Sequence, residues 1–190
     1  MERLRKFADF LEILIISFFV MLMISTYIFR IFTVNGDSMR DTLKSGDKVI
    51  AWNICNNLKQ GDIVVIRADK SVTLNDDNSL EIKDGINETI VKRIIATGGQ
   101  TIDIDFGSGA VYVNDKRIFE DYLKLGLTHK DEGAFDYPIK VPQGYVFVMG
   151  DYRSLSEDSR SAEIGFIPTE NIIGKVIFRI SPLNKIGKIG

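Results

Sequence analysis

The stretch Ile90-Val91-Lys92-Arg93-Ile94-Ile95-Ala96 decides the fold, because it is a β-type sequence that carries two basic residues at its centre. Branched apolar residues, which are typical of strands, fill most of its positions. Successive side chains of a strand point to opposite faces, so one face is expected to hold Ile90, Lys92, Ile94 and Ala96. The sequence therefore predicts a strand on which Lys92 stands among apolar neighbours.

Six further segments have the same character, and residues that favour turns bound most of them. They are 48–52, 62–66, 101–105, 110–113, 145–149 and 175–180. No alternation of strands with helical periodicity appears, which argues against a doubly wound parallel sheet. The sequence predicts a mostly β domain, with polar loops at 69–88 and 126–137 and a strand that enters a hairpin turn at 111–117.

The N-terminal part of the chain has the composition of a membrane segment. Residues 13–29 carry no charge, and the run extends to 11–32 if Glu12 and Arg30 lie at the two interfaces. A cleavable signal peptide shares this layout, but no A-x-A-like pair ends the run. The sequence predicts an uncleaved transmembrane helix at 11–32.

The basic residues set the expected orientation of that helix. Arg3, Arg5 and Lys6 precede it, and only Arg30 closely follows it. The positive-inside rule then places residues 1–10 in the cytoplasm. We therefore expect a single-pass plasma-membrane protein whose remaining residues, 33–190, form an extracellular domain.

Composition excludes several classes of function. The chain has 190 residues and a net charge of −2, so it lacks the basic face that a nucleic-acid-binding protein needs. A lone cysteine, Cys55, cannot form an intramolecular disulfide. The only histidine, His129, lies in a polar, turn-like stretch, where a solvated loop residue is the ordinary interpretation. Metal ligands of the His/Cys type are too few for a metal site, and no cofactor is expected.

Ser38 and Lys92 have the chemistry of a nucleophile and its base. A serine hydroxyl is a weak nucleophile until a neighbour takes its proton, and a lysine can do so only when it is neutral. Burial would have to lower the lysine pKa well below about 10.4. Each residue has an ordinary alternative. Lys92 can be a charged residue that keeps a sheet edge from pairing with another strand, and the stretch Ser38-Met39-Arg40-Asp41 fits a helix capping box.

Four stretches, in order, resemble the motifs of type I signal peptidases, the membrane-anchored Ser/Lys endopeptidases that remove signal peptides from exported proteins. The first contains the family's nucleophile, and the third its lysine. The likeness is greatest to the small Gram-positive members with a single anchor. The stretches are Gly36-Asp37-Ser38-Met39-Arg40-Asp41-Thr42-Leu43, Gly61-Asp62-Ile63-Val64-Val65, Val91-Lys92-Arg93-Ile94-Ile95-Ala96 with Gly98-Gly99, and Gly150-Asp151-Tyr152-Arg153-Ser154-Leu155-Ser156-Glu157-Asp158-Ser159-Arg160.

The resemblance implies a role for each matched residue. Ser38 would attack the scissile carbonyl and form an acyl-enzyme, its backbone N–H would donate to the oxyanion, and Lys92 would be the general base. Ser156 would orient the Lys92 amine, and Asp158 would pair with Arg160 as a brace. We expect the Ser38 hydroxyl and the Lys92 amine to lie within hydrogen-bond reach or close to it.

The resemblance also implies the architecture and the substrate. The family fold has two antiparallel β regions, the smaller of which is inserted here at about 99–142. A signal peptide would bind as an extended segment beside a strand, with small residues at its −1 and −3 positions. Membrane lipid is a further expected partner, and the candidates for lipid contact are Phe32, Met39 and Trp52.

Three positions depart from the family pattern: Asp41, Gln100 and Tyr152. Gly36 fits the nucleophile motif, but some relatives carry a serine there that adds a hydroxyl donor, so no side-chain donor comes from this position. Gln100 replaces the aspartate that follows the lysine motif. Asp41 replaces a proline, which predicts a looser turn and an anion that favours charged Lys92. Tyr152 replaces an asparagine. These departures leave open a weakly active or non-proteolytic factor for pilus or surface-structure assembly, with pilins or other surface proteins as partners, and a purely structural β-domain.

Overall fold

The computed structural model describes residues 2–53, 57–75, 77–124, 127–129 and 132–189. Cys55 and part of the predicted loop at 126–137 lie outside these residues. Within them, one N-terminal helix is followed by twelve β-strands and two short 3₁₀ turns. The predicted mostly β fold is confirmed.

Helix α1 spans Glu2–Ile28, and none of its residues is buried against the rest of the chain. Its 27 residues rise roughly 40 Å, more than the hydrocarbon thickness of about 30 Å. By length and composition this helix can cross a membrane.

The helix bounds differ from the predicted 11–32. Residues from Phe29 onward leave the helix because they pair with another strand, from Phe29 opposite Trp52 to Thr33 opposite Lys48. Aromatic and branched side chains at 29–32 suit this pairing as well as they suit a helix in lipid. An apolar run alone does not distinguish the two, so the predicted C-terminal end was four residues too long.

The strands form two sheets in which every pairing between strands is antiparallel. The larger sheet has the order β1-β2-β11-β3-β4-β9-β10, with β12 beside β11, and the smaller has the order β7-β6-β5-β8. The strands are β1 Phe29–Thr33, β2 Lys48–Trp52, β3 Ile63–Leu74, β4 Leu80–Thr97, β5 Thr101–Asp105, β6 Ala110–Val113, β7 Lys116–Arg117, β8 Ile139–Lys140, β9 Tyr145–Met149, β10 Ile167–Pro168, β11 Ile172–Ser181 and β12 Gly187–Lys188.

The predicted loop at 69–88 is wrong. In the structure β3 and β4 continue as a long two-stranded ribbon, and a backbone hydrogen bond from the Asn75 N–H to the Ser79 carbonyl lies at its end. The exposed pair Lys70 and Asp84 faces across the ribbon with a 3.1 Å contact. The β4 strand of the ribbon is largely exposed, whereas Ser71, Val72 and Thr73 of the β3 strand are buried. The exposed strand needs no apolar alternation, so the polar composition of the segment is also that of a loop.

A β-bulge in β4 corrects the predicted face of Ala96. Ile94 pairs with Val148 whereas Ala96 pairs with Phe147, so Ile95 is an extra residue on its strand. Beyond the bulge the alternation is reversed, and Ala96 packs with Phe147 rather than with the cluster around Ile94.

The smaller sheet packs against the larger one through a shared apolar core. Ile102 and Val111 of the smaller sheet belong to the same cluster as Phe147 and Phe166 of the larger part. Its four strands lie in the region, 99–142, that was predicted for the insertion. The residues just before this region carry Lys92, and those after it carry Ser156, so the insertion leaves and rejoins the chain beside the candidate site.

Candidate active site

Lys92 lies at the centre of the larger sheet and is almost fully buried. It pairs with Val64 on β3, its side chain is on the face of Ile90 and Ile94, and it is 3% exposed. Its amine donates to the Ser156 hydroxyl at 3.2 Å. Burial lowers the pKa of Lys92 below its ordinary value, and the neighbouring carboxylates, of which Asp158 acts most strongly, offset this only in part.

Asp158 and Arg160 form a fully buried ion pair behind Ser156. Arg160 donates from Nε to Asp158 Oδ1 at 2.9 Å and from Nη2 to Oδ2 at 3.0 Å. Burial alone would raise the pKa of Asp158, but the adjacent Arg160 guanidinium holds it below its ordinary value. Arg160 Nη2 also donates to the Ser156 carbonyl oxygen at 3.2 Å. The pair therefore fixes the main chain that presents the Ser156 hydroxyl to Lys92.

Ser38 lies on a turn between β1 and β2. Gly36 has a φ of +83°, a left-handed conformation that favours glycine, and it reverses the chain just before Ser38. The turn is closed by a bond from the Leu43 N–H to the Met39 carbonyl at 2.6 Å. Met39, one of the candidates for lipid contact, is 1% exposed and packs in the apolar core. The apolar Met39 side chain anchors the turn, and Ser38 remains half-buried.

Gly150 brings the Ser38 and Ser156 segments together. A Cβ atom at Gly150 would lie 2.5 Å from the Ser38 carbonyl oxygen and 2.5 Å from Ser156 Cβ, so this approach requires glycine. The next segment completes the contact, because the Tyr152 N–H donates to the Ser38 carbonyl at 2.9 Å. Ser38, Ser156 and Lys92 are thus brought into one neighbourhood from three distant parts of the chain.

The Ser38 groups that chemistry would use are not engaged by the protein. Among the residues that the structure describes, no hydrogen bond joins the Ser38 hydroxyl to Lys92, whose partner is Ser156. In the same part of the chain, the Ser38 backbone N–H donates to no protein acceptor. The site has a nucleophile half-open to solvent, a buried amine with a lowered pKa and an available N–H donor.

Sequence reasoning missed a second ion pair beside the site. Arg93 donates to both carboxylate oxygens of Asp151, at 2.8 and 2.7 Å, and both side chains are buried. Asp151 also accepts a 2.5 Å bond from the Thr42 hydroxyl of the Ser38 turn. Two charged residues inside matched motifs were a signal, since buried charges require partners.

Asp41 and His129 have partners that the sequence did not indicate. The Asp41 carboxylate is buried and accepts the Lys124 N–H at 2.7 Å. Asp41 is not among the charged groups that act most strongly on the Lys92 amine. His129 is exposed, and its Nδ1 lies 2.9 Å from the Phe106 carbonyl oxygen, as expected for a loop residue.

A family model described as signal peptidase, peptidase S26, matches residues 7–181. The chain belongs to the signal peptidase family. The predicted family and the predicted class of enzyme, a serine peptidase, are confirmed. The alternative of a purely structural β-domain is not favoured.

Relatives of this signal peptidase family member include two from Gram-positive bacteria. It is 32% identical over 187 residues to signal peptidase IB of Staphylococcus aureus, a match that covers 90% of this chain and 87% of the relative. It is 30% identical over 189 residues to signal peptidase I of Bacillus licheniformis, covering 95% and 91% of the two chains. A solved signal peptidase I from Enterococcus faecalis aligns with a TM-score of 0.46 at 23% identity, over 63% of this chain and 97% of that chain.

Proposed function

We propose that this protein is a membrane-anchored serine endopeptidase that removes N-terminal signal peptides from exported preproteins. The observation that carries the proposal is the buried Lys92 amine, bonded to Ser156 and joined to the Ser38 turn through Gly150. A lysine that acts as a general base needs a lowered pKa, and the family to which the chain belongs consists of peptidases. A non-proteolytic assembly factor is therefore the less favoured function.

Each site residue has a step in the proposed mechanism. Lys92, when neutral, accepts the Ser38 proton while the Ser38 oxygen bonds to the scissile carbonyl carbon. The Ser38 N–H, which has no protein acceptor among the described residues, donates to the oxyanion that forms. Lys92 then protonates the leaving amine, and a water molecule hydrolyses the acyl-enzyme with Lys92 again as base. Ser156 holds the amine through both stages.

The anchor sets the proposed orientation and the place of cleavage. Arg3, Arg5 and Lys6 precede the apolar part of α1, so the N-terminus is cytoplasmic and the β domain lies outside the membrane. At the end of the helix Phe29 and Trp52 are exposed, with ring centroids 6.1 Å apart. Aromatic residues favour the membrane interface, and these two would seat the domain on lipid.

The test is cleavage of a preprotein by the full-length chain in detergent or lipid vesicles. The product should begin at the signal-peptide junction, and bulky residues at positions −1 and −3 of the substrate should prevent cleavage. Ser38→Ala and Lys92→Ala should each abolish it, while Lys70→Ala, which removes an exposed strand lysine, should not. Cleavage that survives both site changes would exclude the proposed mechanism.

A pH profile separates Lys92 from other bases. The value of kcat/KM should rise with pH and show an apparent pKa below that of free lysine, because burial lowers the pKa of Lys92. Inhibitors that need a catalytic histidine should have little effect, since His129 lies in an exposed loop.

A further inference from the structure

The contact between Asp41 and Lys124 joins two segments that are 83 residues apart. The Asp41 carboxylate is 8% exposed, and its Oδ2 accepts the backbone N–H of Lys124 at 2.7 Å. Asp41 lies three residues after Ser38, on the turn that carries the nucleophile. A charged acceptor makes this a stronger hydrogen bond than one between neutral groups.

The segment that receives Asp41, residues 120–124, is itself firmly held. Arg93 stacks on the Tyr122 ring, with its guanidinium carbon 4.0 Å from the ring centroid. Glu120 forms an ion pair with Arg153, which is 1% exposed, and accepts the Tyr122 hydroxyl at 2.9 Å. Asp41 therefore bonds to a fixed support and not to a mobile loop.

The 120–124 segment is also connected to the Ser38 turn through Arg93 and Asp151. Arg93 pairs with Asp151, which accepts the Thr42 hydroxyl. The Asp151 N–H also contacts Met39 Sδ at 3.4 Å. Met39 and Thr42, which lie before and after Asp41, thus contact Asp151, and Asp41 itself bonds to Lys124. The turn is held on both sides by contacts that converge on the 120–124 segment.

We propose that Asp41 is a positioning residue that fastens the Ser38 turn to the 120–124 segment. This inference rests on the proposed function, because it assigns Asp41 the task of holding Ser38 for its reaction with substrate. We assign Asp41 a geometric role because its carboxylate accepts the Lys124 N–H of the 120–124 segment at 2.7 Å. Small displacements of a reacting group cost up to about 100-fold in rate.

The test compares Asp41→Ala and Asp41→Asn in the full-length chain with the same preprotein. We expect Asp41→Ala to lower kcat about 10- to 100-fold with KM changed less than about twofold. Asn keeps an oxygen acceptor for the Lys124 N–H, so it should restore most of the rate. Because no charge effect is invoked, the apparent pKa of the kcat/KM profile should be the same in all three proteins.

Asp47 provides a matched control on the same connection. Its carboxylate is also buried and accepts a backbone N–H, that of Lys44 at 3.0 Å, but its other partner is Arg179 and not the 120–124 segment. Asp47→Ala should leave kcat within about threefold of the unchanged protein. An equal loss of kcat in Asp47→Ala and Asp41→Ala would show general loosening of the connection and overturn the inference.

Hydrogen exchange tests the contact without relying on activity. In a Ser38→Ala background, Asp41→Ala should increase exchange in peptides that cover 37–43 and 119–124, and Asp47→Ala should not increase it at 119–124. Unchanged exchange overturns the inference, and so does an Asp41→Asn variant that fails to restore kcat and shifts the pH profile. If the unchanged protein still cleaves the preprotein, the proposed function stands in either case. If the unchanged protein cleaves no preprotein, the proposed function fails, and the catalytic part of the inference fails with it.

Discussion

Two adjacent basic residues on β4, Lys92 and Arg93, are both buried, but the Arg93 side chain binds a carboxylate and the Lys92 side chain binds a hydroxyl. Lys92 is 3% exposed and Arg93 is 6% exposed, and the strand directs them to opposite faces of the sheet. Arg93 donates twice to the Asp151 carboxylate and stacks on Tyr122. Lys92 donates only to a hydroxyl, that of Ser156, among the residues the structure describes.

The difference decides which of the two residues can take a proton. Burial works to lower the pKa of Arg93, but the hydrogen bonds and charge of Asp151 more than reverse this, and the pKa is raised. For Lys92 burial dominates, and the pKa is lowered although Asp158 lies nearby. The Arg160 guanidinium donates two hydrogen bonds to Asp158, and its charge opposes the effect of Asp158 on the pKa of Lys92. One strand thus carries a permanent cation on one face and a candidate base on the other.

The largest expected effect is a loss of catalysis when Lys92 is replaced by arginine, the residue type of its neighbour. In Lys92→Arg the positive charge remains but cannot be lost, because a guanidinium stays protonated in proteins. We expect kcat/KM for preprotein cleavage to fall by at least about 10⁴-fold, as when a unit of a catalytic pair is removed. Lys70→Arg, at an exposed position in the ribbon, should keep full activity. An active Lys92→Arg protein would exclude Lys92 as the base.

The second largest effect comes from removing the partner of Arg93. Asp151→Asn keeps the shape of the side chain but leaves the buried Arg93 guanidinium without its counter-charge. We expect the free energy of unfolding to fall by about 3–5 kcal/mol in denaturant titration. The exposed pair of Lys70 and Asp84 gives the control, since Asp84→Asn should change the free energy of unfolding by less than about 0.5 kcal/mol. Equal effects of the two changes would mean that burial does not distinguish the pairs.

The contrast between Lys92 and Arg93 also shows what the sequence can predict. Strand periodicity and the family motifs were enough to place Lys92 on an apolar face near Ser38 and Ser156. The role of Arg93 depends on Asp151 and Tyr122, which are 58 and 29 residues away, and no local pattern encodes that meeting. Asp41 was misjudged for the same reason, because its partner Lys124 lies in the inserted region.

The fold was predictable where strands bury a face and less so elsewhere. Segments 48–52, 101–105, 110–113 and 145–149 match observed strands residue for residue. The ribbon at 69–88 and the strand at Phe29–Thr33 were missed, since the first is rich in polar residues and the second continues an apolar helix. In both cases the pairing partner, and not the local composition, decides the structure.

A smaller effect is expected from Ser156→Ala, which removes the partner of the Lys92 amine. An unsatisfied buried donor costs about 1–3 kcal/mol, which corresponds to a loss of roughly 5- to 150-fold in kcat/KM if Ser156 orients the base. Ser159→Ala is a matched control, because the Ser159 hydroxyl is equally buried but accepts the Val148 N–H at 2.9 Å. A full rate in Ser156→Ala would remove Ser156 from the mechanism.

The smallest effect is a pH dependence of stability that Lys92 should show and Arg93 should not. Because the pKa of Lys92 is lowered in the folded protein, the unfolded chain binds more protons at every pH between the folded and unfolded values. The free energy of unfolding should therefore rise with pH in that window, by at most about 1.4 kcal/mol per pH unit for one proton.

Lys92→Met lacks this group, so its stability advantage over the unchanged protein should be largest at low pH and shrink as the pH rises. Arg93→Met should differ from the unchanged protein by a constant amount, since Arg93 is charged in both states. Denaturant titrations between about pH 6 and 10 measure both differences. A Lys92→Met difference that stays constant or grows with pH would mean that the buried amine stays charged.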